Sequence, residues 1–316
     1  MSGKRSFETI NYMLRPNKNV ERKLILSSLV KIAGKFAIPS YRYVGFGSMW
    51  FSDFVLMHKT LGISDMVTIE KEKSREKRVE FNKPFACIAV RMEEAATALG
   101  DVLDNTPSIV WLDYDGPLKR ALTGDIETAV GSMSSGSMIL VTVNAMVDQL
   151  KGNTVDGETL SPEDFLADIC DDTAMAAKGA LLTRNGFPAL ASEIVHQRIK
   201  AAVLEKKPGC HYAPIWAYRY ADDAEMITVG GMIVDGTDAA KLDACALDTL
   251  THITGETLFD IDLPVLTEKE KRSLDKRLPC AVPLDPSSLE FELRLNEVQA
   301  YQRFYLEYPI FGEMAA

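Results

Sequence analysis

Five short apolar segments recur in the first half of the chain, and stretches with helical character separate them. These segments are Tyr41–Val44, Met66–Ile69, Ala86–Val90, Ser108–Leu112 and Met138–Val143. Strands of this length with little polar alternation are typical of a parallel sheet that helices cover on both faces. The pattern therefore predicts an α/β fold.

A different pattern closes the strand-rich region. Tyr212–Tyr220 and Glu225–Val234 have the composition of strands, and the polar turn Ala221–Ala224 joins them. Two such runs around a short polar turn predict a β-hairpin. We therefore expect a sheet of mainly parallel strands that ends in an antiparallel hairpin.

The chain has 316 residues, which exceeds the usual size of one domain, and the pattern divides it into three parts. Residues 1–40 are predicted to form a basic helical segment. Residues 41–234 carry the strand pattern and include a helical insertion at about 150–208. Residues 235–316 are predicted to form a mainly helical extension.

The charge of the chain is unevenly distributed. The formal net charge is −10, whereas residues 1–50 contain nine Lys or Arg and two Glu. The acidic balance disfavours a general nucleic-acid binder. The basic start could place a basic face near an anionic substrate, with Arg15 and Lys18 as candidates for holding it, but a solvated helix explains the same charges equally well.

The sequence predicts neither a membrane segment nor a metal site. No uninterrupted apolar run reaches the ~18 residues of a membrane span, and the first residues lack the apolar block of a secretory signal. We therefore expect a cytoplasmic protein without a membrane partner. The five cysteines are widely spaced and never form a CxxC pair, which argues against a disulfide framework or a thiolate zinc site.

A glycine turn follows the first predicted strand. Gly45, Phe46 and Gly47 end the strand, and Ser48 is expected to cap a helix that runs to about Leu61. Glycines at the start of a helix let backbone amides approach a ligand without obstruction from a Cβ atom. Many α/β proteins use such a turn for structure alone, so the turn by itself leaves both interpretations open.

A carboxylate ends the second predicted strand. Glu70 lies 25 positions after Gly45. In dinucleotide-binding folds, an acid ~20 residues after the glycine motif binds the ribose hydroxyls. A helix and its connection account for the additional residues. The turn and the carboxylate together indicate a ligand that contains adenosine.

The fourth predicted strand ends in the acidic sequence Asp113–Tyr114–Asp115–Gly116–Pro117. Ligands of open α/β sheets bind beyond the carboxyl ends of the strands, so both carboxylates are expected to contact cofactor or substrate. Two neighbouring acids also suit proton transfer, because one negative charge raises the pKa of the other acid. The alternative is a structural turn in which an Asp caps the next helix.

These motifs together resemble those of the class I S-adenosylmethionine-dependent methyltransferases. YVGFGS resembles the first motif of that family, Ile69–Glu70 its ribose-binding acid and Trp111–Leu118 its fourth-strand motif. The terminal hairpin resembles the sixth and seventh strands of the family, and the likeness covers about residues 41–234. More narrowly, the combination resembles bacterial proteins grouped as O-methyltransferases. The resemblance implies a Rossmann-like fold, S-adenosylmethionine as cofactor and an unidentified methyl acceptor, with oxygen as a candidate for the methylated atom.

The resemblance also implies roles for individual residues. The loop Gly45–Ser48 would lie under the methionine part of the cofactor, and Glu70 would accept hydrogen bonds from the ribose hydroxyls. Glu94 would lie near the adenine. Asp113, a second catalytic candidate, would lie at the edge of the cofactor, and Asp115 would lie nearer the substrate as the preferred catalytic base.

The chain departs from the family pattern in several places. Ser48 stands where many members have a third glycine, and Tyr41–Tyr43 offers no acid before the turn. The acidic sequence after the fourth strand also differs from the Asp/Asn-Pro-Pro-aromatic signature of amino-methylating enzymes. On the helix after the turn, Asp53 is interpreted as structural and Trp50 as part of the core.

Two other functions stay open at this point. A catalytically degenerate nucleotide-binding module that acts through a protein partner would need no catalytic signature beyond the acidic sequence. A nicotinamide-dependent oxidoreductase is also conceivable, because glycine turns and ribose-binding acids serve nicotinamide dinucleotides as well. The lack of a complete GxGxxG motif and the presence of the terminal hairpin favour the methyltransferase.

Overall fold

The computed structural model describes residues 15–150, 154–155, 158–159, 161–170 and 179–310. Parts of the predicted N-terminal segment, of the helical insertion and of the C-terminal extension therefore lie outside the described residues. Within the described residues, an eight-stranded sheet forms the centre of the fold.

The sheet contains the parallel strands and the antiparallel hairpin that the sequence pattern predicts. Its strands and those of a separate small hairpin are β1 (Arg42–Gly45), β2 (Asp65–Ile69), β3 (Ile88–Arg91), β4 (Ser108–Pro117), β5 (Met138–Asn144), β6 (Thr154–Val155), β7 (Glu158–Thr159), β8 (His211–Ala221), β9 (Glu225–Val234) and β10 (Phe259–Ile261). The order in the sheet is β10-β8-β9-β5-β4-β1-β2-β3. β1 to β5 are parallel, and β9 is antiparallel to both β5 and β8. The predicted α/β fold with a mainly parallel sheet and an antiparallel hairpin is confirmed.

Helices cover both faces of this sheet. The described helices are α1 (Pro16–Ile32), α2 (Ser52–Leu61), α3 (Glu76–Asn82), α4 (Ala95–Val102), α5 (Arg120–Ser132), α6 (Pro162–Cys170), α7 (Phe187–Lys206), α8 (Gly236–Asp243), α9 (Glu268–Asp275) and α10 (Leu295–Phe304). Successive strand residues point to opposite faces. Val110 and Leu112 share a core with α4, α5 and α7, whereas Ile109 and Trp111 share one with α1, α2 and α10. This double burial explains the nearly continuous apolar runs of β1, β2, β4 and β5.

The first described helix carries buried charges. α1 begins at Pro16, whose fixed φ suits a first helical position, and it packs against α2 and β8. Lys18, Glu21 and Arg22 are only 2%, 0% and 7% exposed. The interpretation of this segment as a solvated helix is therefore wrong for these three residues.

Some local predictions also differ from the structure. α2 begins at Ser52, so Ser48 does not cap it. The C-terminal extension contributes β10, which pairs in parallel with β8. This strand has three residues, too few to show an alternating pattern in the sequence. The predicted division into three parts stays a prediction, with α1 and β10 packed on or in the same sheet.

Candidate active site

A cavity of about 740 Å³ opens at the carboxyl ends of β1, β2 and β4. Its size lies within the ~300–1,000 Å³ that is typical of small-ligand sites. Seven of the residues selected from the sequence line it, namely Phe46, Gly47, Ser48, Glu70, Glu94, Asp113 and Asp115. Gly45 ends β1 immediately before them. The parallel topology thus brings together segments that are far apart in the sequence.

Packing requires the second glycine of the turn. A Cβ atom on Gly47 would lie 2.5 Å from Cε1 of Phe51 and 2.9 Å from Oγ1 of Thr68. Phe51 is fully buried, so its ring has little room to move. The amide of Gly47 donates a hydrogen bond to Thr68 Oγ1 at 2.9 Å, which ties the turn to β2. This glycine therefore fixes the floor of the cavity.

The first glycine makes room for a buried carboxylate. A Cβ atom on Gly45 would lie 3.0 Å from the hydroxyl of Tyr43 and 3.3 Å from Oδ2 of Asp53. The Tyr43 hydroxyl donates a hydrogen bond to that same oxygen, and Asp53 lines the cavity. Burial raises the pKa of Asp53, although the Arg22 charge acts in the opposite direction. A structural role accounts for the contact with Tyr43 but not for the position of Asp53 in the cavity wall.

Ser48 adopts a conformation that favours glycine. Its φ is 52°, in the left-handed region. An L-residue with a side chain pays about 1–2 kcal/mol in that region. The third glycine of related motifs would meet this backbone requirement without strain, and Ser48 meets it at a cost.

Glu70 follows β2 directly and is half-buried in the cavity wall. Its backbone amide donates to the carbonyl of Arg91, at 2.9 Å, which continues the pairing of β2 with β3. Its carboxylate accepts a hydrogen bond from the amide of Glu72 at 3.1 Å. These two contacts fix the backbone and the carboxylate of Glu70 at the strand end, where a ribose-binding acid is expected.

The acidic sequence after the apolar part of β4 forms an irregular loop. The pairing of β4 with β5 shifts between Asp113 and Pro117, so Tyr114, Asp115 and Gly116 bulge out of the ladder. Such bulges re-aim side chains at sheet edges and next to active sites. Asp115 is exposed at the cavity, whereas the Asp113 side chain is 24% exposed.

Asp113 is held by α1. Nζ of Lys18 lies 3.1 Å from Oδ1 of Asp113, 3.3 Å from Oε2 of Glu21 and 3.0 Å from the hydroxyl of Tyr220. Burial favours the neutral form of Lys18, but the charges of Asp113 and Glu21 outweigh it and raise the pKa of the ammonium. Burial also opposes ionisation of Asp113, but Lys18 and Arg22 outweigh it and lower the pKa of that carboxyl. Asp113 is therefore an ionised anchor and a weak base.

Tyr114 connects the acidic loop to the glycine turn. Its ring contacts Phe46 edge-to-face with centroids 5.1 Å apart. Its hydroxyl donates a hydrogen bond to the carboxylate of Asp125, which also lines the cavity. Burial raises the pKa of Asp125, and the nearby Glu94 adds to the effect. Glu94 stands immediately before α4 and is exposed.

Sequence reasoning missed several residues of the cavity wall, including a cation, an indole ring and a carboxylate. Arg22 lines the cavity from α1, and Asp125 lines it from α5. Trp50 also lines it with 38% of its surface exposed, so the interpretation of this residue as part of the core is wrong. Lys18 and Arg22 are four positions apart, which places them on one face of a helix. That spacing was the available signal for Arg22, but it does not show which face is buried.

The described part of the chain contains neither a membrane-spanning helix nor a metal-binding cluster. No described helix is long and apolar enough to cross a membrane. The described residues also contain no group of three or more His, Cys, Asp or Glu side chains that could hold a metal ion.

The sheet order and the turn at the end of β1 define a Rossmann-like nucleotide-binding architecture. The family model described as "Putative O-methyltransferase" matches residues 10–316, and the chain belongs to this family. This result confirms the prediction of a methyltransferase. None of the curated proteins compared with the chain matches its sequence.

Solved structures of methyltransferases are similar to the fold at low sequence identity. Trm1 from Pyrococcus horikoshii, in complex with S-adenosylmethionine, is 12% identical over 72% of this chain, with a TM-score of 0.46. The match spans only 57% of the length of that protein. TYW2 from M. jannaschii is 10% identical over 65% of this chain and 76% of its own length, with a TM-score of 0.35. A predicted O-methyltransferase from Agrobacterium tumefaciens is 11% identical over 62% of this chain and 78% of its own length, with a TM-score of 0.33.

The residues of the cavity fit S-adenosylmethionine. Glu70 offers a carboxylate at the strand end where a ribose would bind, and Gly47 leaves a floor without a side chain. Acidic residues outnumber basic ones seven to three among the described lining residues. This excess of negative charge complements a sulfonium cation.

Proposed function

We propose that the protein transfers a methyl group from S-adenosylmethionine to the oxygen of a small, uncharged hydroxyl compound. The observation that carries this proposal is the single cavity that joins the glycine turn, Glu70 and the acidic loop Asp113–Gly116. The first two would hold the cofactor, with Glu94 near its adenine, and the loop would face the acceptor. The family description supports oxygen as the methylated atom.

The charge of the cavity supports an uncharged acceptor. The excess of carboxylates among the described lining residues disfavours a polyanion such as a nucleic acid, whose binding depends on basic residues. Two basic residues of α1 are used within the fold. Lys18 contacts Asp113, and Lys23 donates a hydrogen bond to the backbone carbonyl of Glu307. We therefore propose an uncharged acceptor in place of the anionic one that the N-terminal charge suggested.

The two acids of the loop would have different roles in the reaction. Bound S-adenosylmethionine supplies an electrophilic methyl group on a positively charged sulfur. Asp115, exposed at the cavity, would accept the proton of the acceptor hydroxyl as its oxygen becomes nucleophilic. Asp113, ion-paired with Lys18, would keep the loop in place.

The first test measures cofactor binding and methyl transfer with the full chain. Calorimetry with S-adenosylmethionine and S-adenosylhomocysteine should show binding of both. Small metabolites, separated by charge into cationic, neutral and anionic fractions, should then be tested for S-adenosylhomocysteine production. We expect turnover with the neutral fraction. Turnover only with the anionic fraction would refute the acceptor class, and cofactor binding without turnover on any fraction would favour a degenerate binding module.

The second test separates binding from chemistry at the acidic loop. Asp115→Asn replaces the base by an amide of similar size, so it should lower the turnover rate by about 10²–10⁴-fold. Affinity for S-adenosylhomocysteine should stay at the parental value, because Glu70 and the glycine turn are unchanged. A variant with parental turnover would remove Asp115 from the catalytic role.

A further inference from the structure

A buried cation in the cavity wall has no hydrogen-bonded counter-ion among the described residues. Arg22 is 7% exposed, and its Nε is buried without a hydrogen-bond partner among the described residues. Lys18, one turn earlier on α1, has its charge matched by Asp113, Glu21 and the Tyr220 hydroxyl at hydrogen-bond distances. Arg22 lines the cavity without a comparable contact to the described residues. A buried charge without a hydrogen-bonded counter-ion is costly, so a ligand anion would stabilise it.

The carboxylate that lies nearest the glycine turn belongs to Asp53. Its Oδ2 accepts a hydrogen bond from Tyr43 and would lie 3.3 Å from a Cβ atom on Gly45. β1 carries no acid of its own, since its four residues are Arg42, Tyr43, Val44 and Gly45. Asp53 therefore places a buried carboxyl group beside the turn, and it lines the same cavity as Arg22.

We infer that Arg22 and Asp53 hold the amino-acid end of the cofactor, with Arg22 binding its carboxylate and Asp53 its ammonium group. This inference rests on the proposed cofactor and adds the residues that recognise its zwitterionic part. The planar guanidinium suits a carboxylate because it can donate two parallel hydrogen bonds. The carboxyl group of Asp53 offers oxygen acceptors to an ammonium, whose positive charge would favour the ionised form of that carboxyl.

The assignment of Arg22 and Asp53 gives α1, which precedes the predicted strands, a role at the site. α1 precedes β1, and its charged face is buried against the end of the sheet. The acids around Arg22 keep it protonated, because Asp113, Asp53 and Glu21 outweigh the effect of burial and raise its pKa. The N-terminal helix would thus complete the cofactor site and select ligands that carry an amino-acid group.

Two ligands separate this function from a structural one. S-Adenosylhomocysteine carries the amino-acid group, and 5′-methylthioadenosine has the same adenosine and sulfur without it. In calorimetric titrations of the full chain, Arg22→Met should weaken S-adenosylhomocysteine binding by about 10- to 100-fold. Its affinity for 5′-methylthioadenosine should not change. Asp53→Asn should show the same selective loss, whereas Glu70→Gln should weaken both ligands.

A matched control is Arg42→Met. Arg42 lies at the opposite end of β1 and is ion-paired with Asp65 and Asp104, so both affinities should stay at the parental values. Where Arg22→Met does not fold, Arg22→Lys retains the charge and should still show a selective loss, because an ammonium cannot reproduce the two parallel hydrogen bonds.

Each outcome decides between the hypotheses. Equal losses for both ligands, or no loss for either, in folded Arg22 variants would overturn the inference while leaving the proposed cofactor intact. Wild-type protein that binds neither ligand would refute the proposed cofactor itself. A loss confined to S-adenosylhomocysteine in both the Arg22 and the Asp53 variants would establish the assignment.

Discussion

Lys18→Met tests whether the buried ion pair with Asp113 holds the acidic loop in place. The ammonium contacts two carboxylates and the Tyr220 hydroxyl, and its side chain is 2% exposed. It also lies 5.0 Å from the centroid of the Trp111 ring. Methionine fills a similar volume and keeps the apolar contacts. The substitution therefore removes the charge and leaves Asp113 without its anchor.

The expected loss of stability follows from the burial of the groups that contact Lys18. Removing one partner of a buried ion pair costs about 3–5 kcal/mol, because the other charge is left uncompensated. Asp113 is 24% exposed, and burial raises the pKa of Glu21, so Glu21 can escape part of the cost by binding a proton. We therefore expect a loss near the lower limit, about 3 kcal/mol. With 316 residues and about 2.1 cal/mol/K per residue, this loss lowers Tm by about 4–5 °C.

Urea unfolding at neutral pH and thermal scans measure this effect. The control is Lys35→Met, an exposed lysine just beyond α1, which should change stability by less than about 0.5 kcal/mol. The double variant Lys18→Met/Asp113→Asn should be more stable than the sum of its single variants predicts, since it removes both charges. Parental stability of Lys18→Met, or strict additivity in the double variant, would refute the role assigned to the pair.

Three further substitutions test the turn and the buried acid. Gly47→Ala should lower the free energy of unfolding by about 1–3 kcal/mol, because its Cβ would overlap the Phe51 ring. The control is Gly124→Ala in α5, where the Cβ has open space. This control should be neutral or stabilising in the same thermal scans. Ser48→Gly should stabilise the protein by about 1 kcal/mol by relieving the positive φ, and an unchanged Tm would contradict the strain. Burial raises the pKa of Glu21 above 4.5, so the folded state holds its proton more tightly than the unfolded state and stability is lost as the pH rises through the raised pKa. Glu21→Gln should therefore gain stability relative to wild type as the pH of the urea titrations rises above 4.5, and a gain that shrinks with rising pH would refute the direction.

The parts of the fold that the sequence predicts are those with strong local patterns. The apolar runs of β1, β2, β4 and β5 are buried on both faces, so their composition differs clearly from that of the connecting helices. β10 has only three residues, and its pairing with β8 depends on a distant part of the chain. The predicted start of α2 at Ser48 is wrong because serine is a common helix cap. The positive φ of Phe51 is not helical, so the helix begins at Ser52.

The residues of the candidate site also form two groups, those that follow the end of a strand and those that only packing brings to the cavity. Glu70 and Asp113 could be selected because each follows an apolar strand, and the carboxyl ends of parallel strands meet at one edge of a sheet. The spacing of Lys18 and Arg22 does not show that Arg22 is buried, since a cation on a polar helix is ordinarily solvated and only the docking of α1 on the sheet buries it. The cost of burying Lys18 and Arg22 must be met by anions, and two of the acids that face them, Asp53 and Asp113, also line the cavity. Formation of the site and docking of α1 are thus coupled, which is why loss of the Lys18 charge is expected to lower stability.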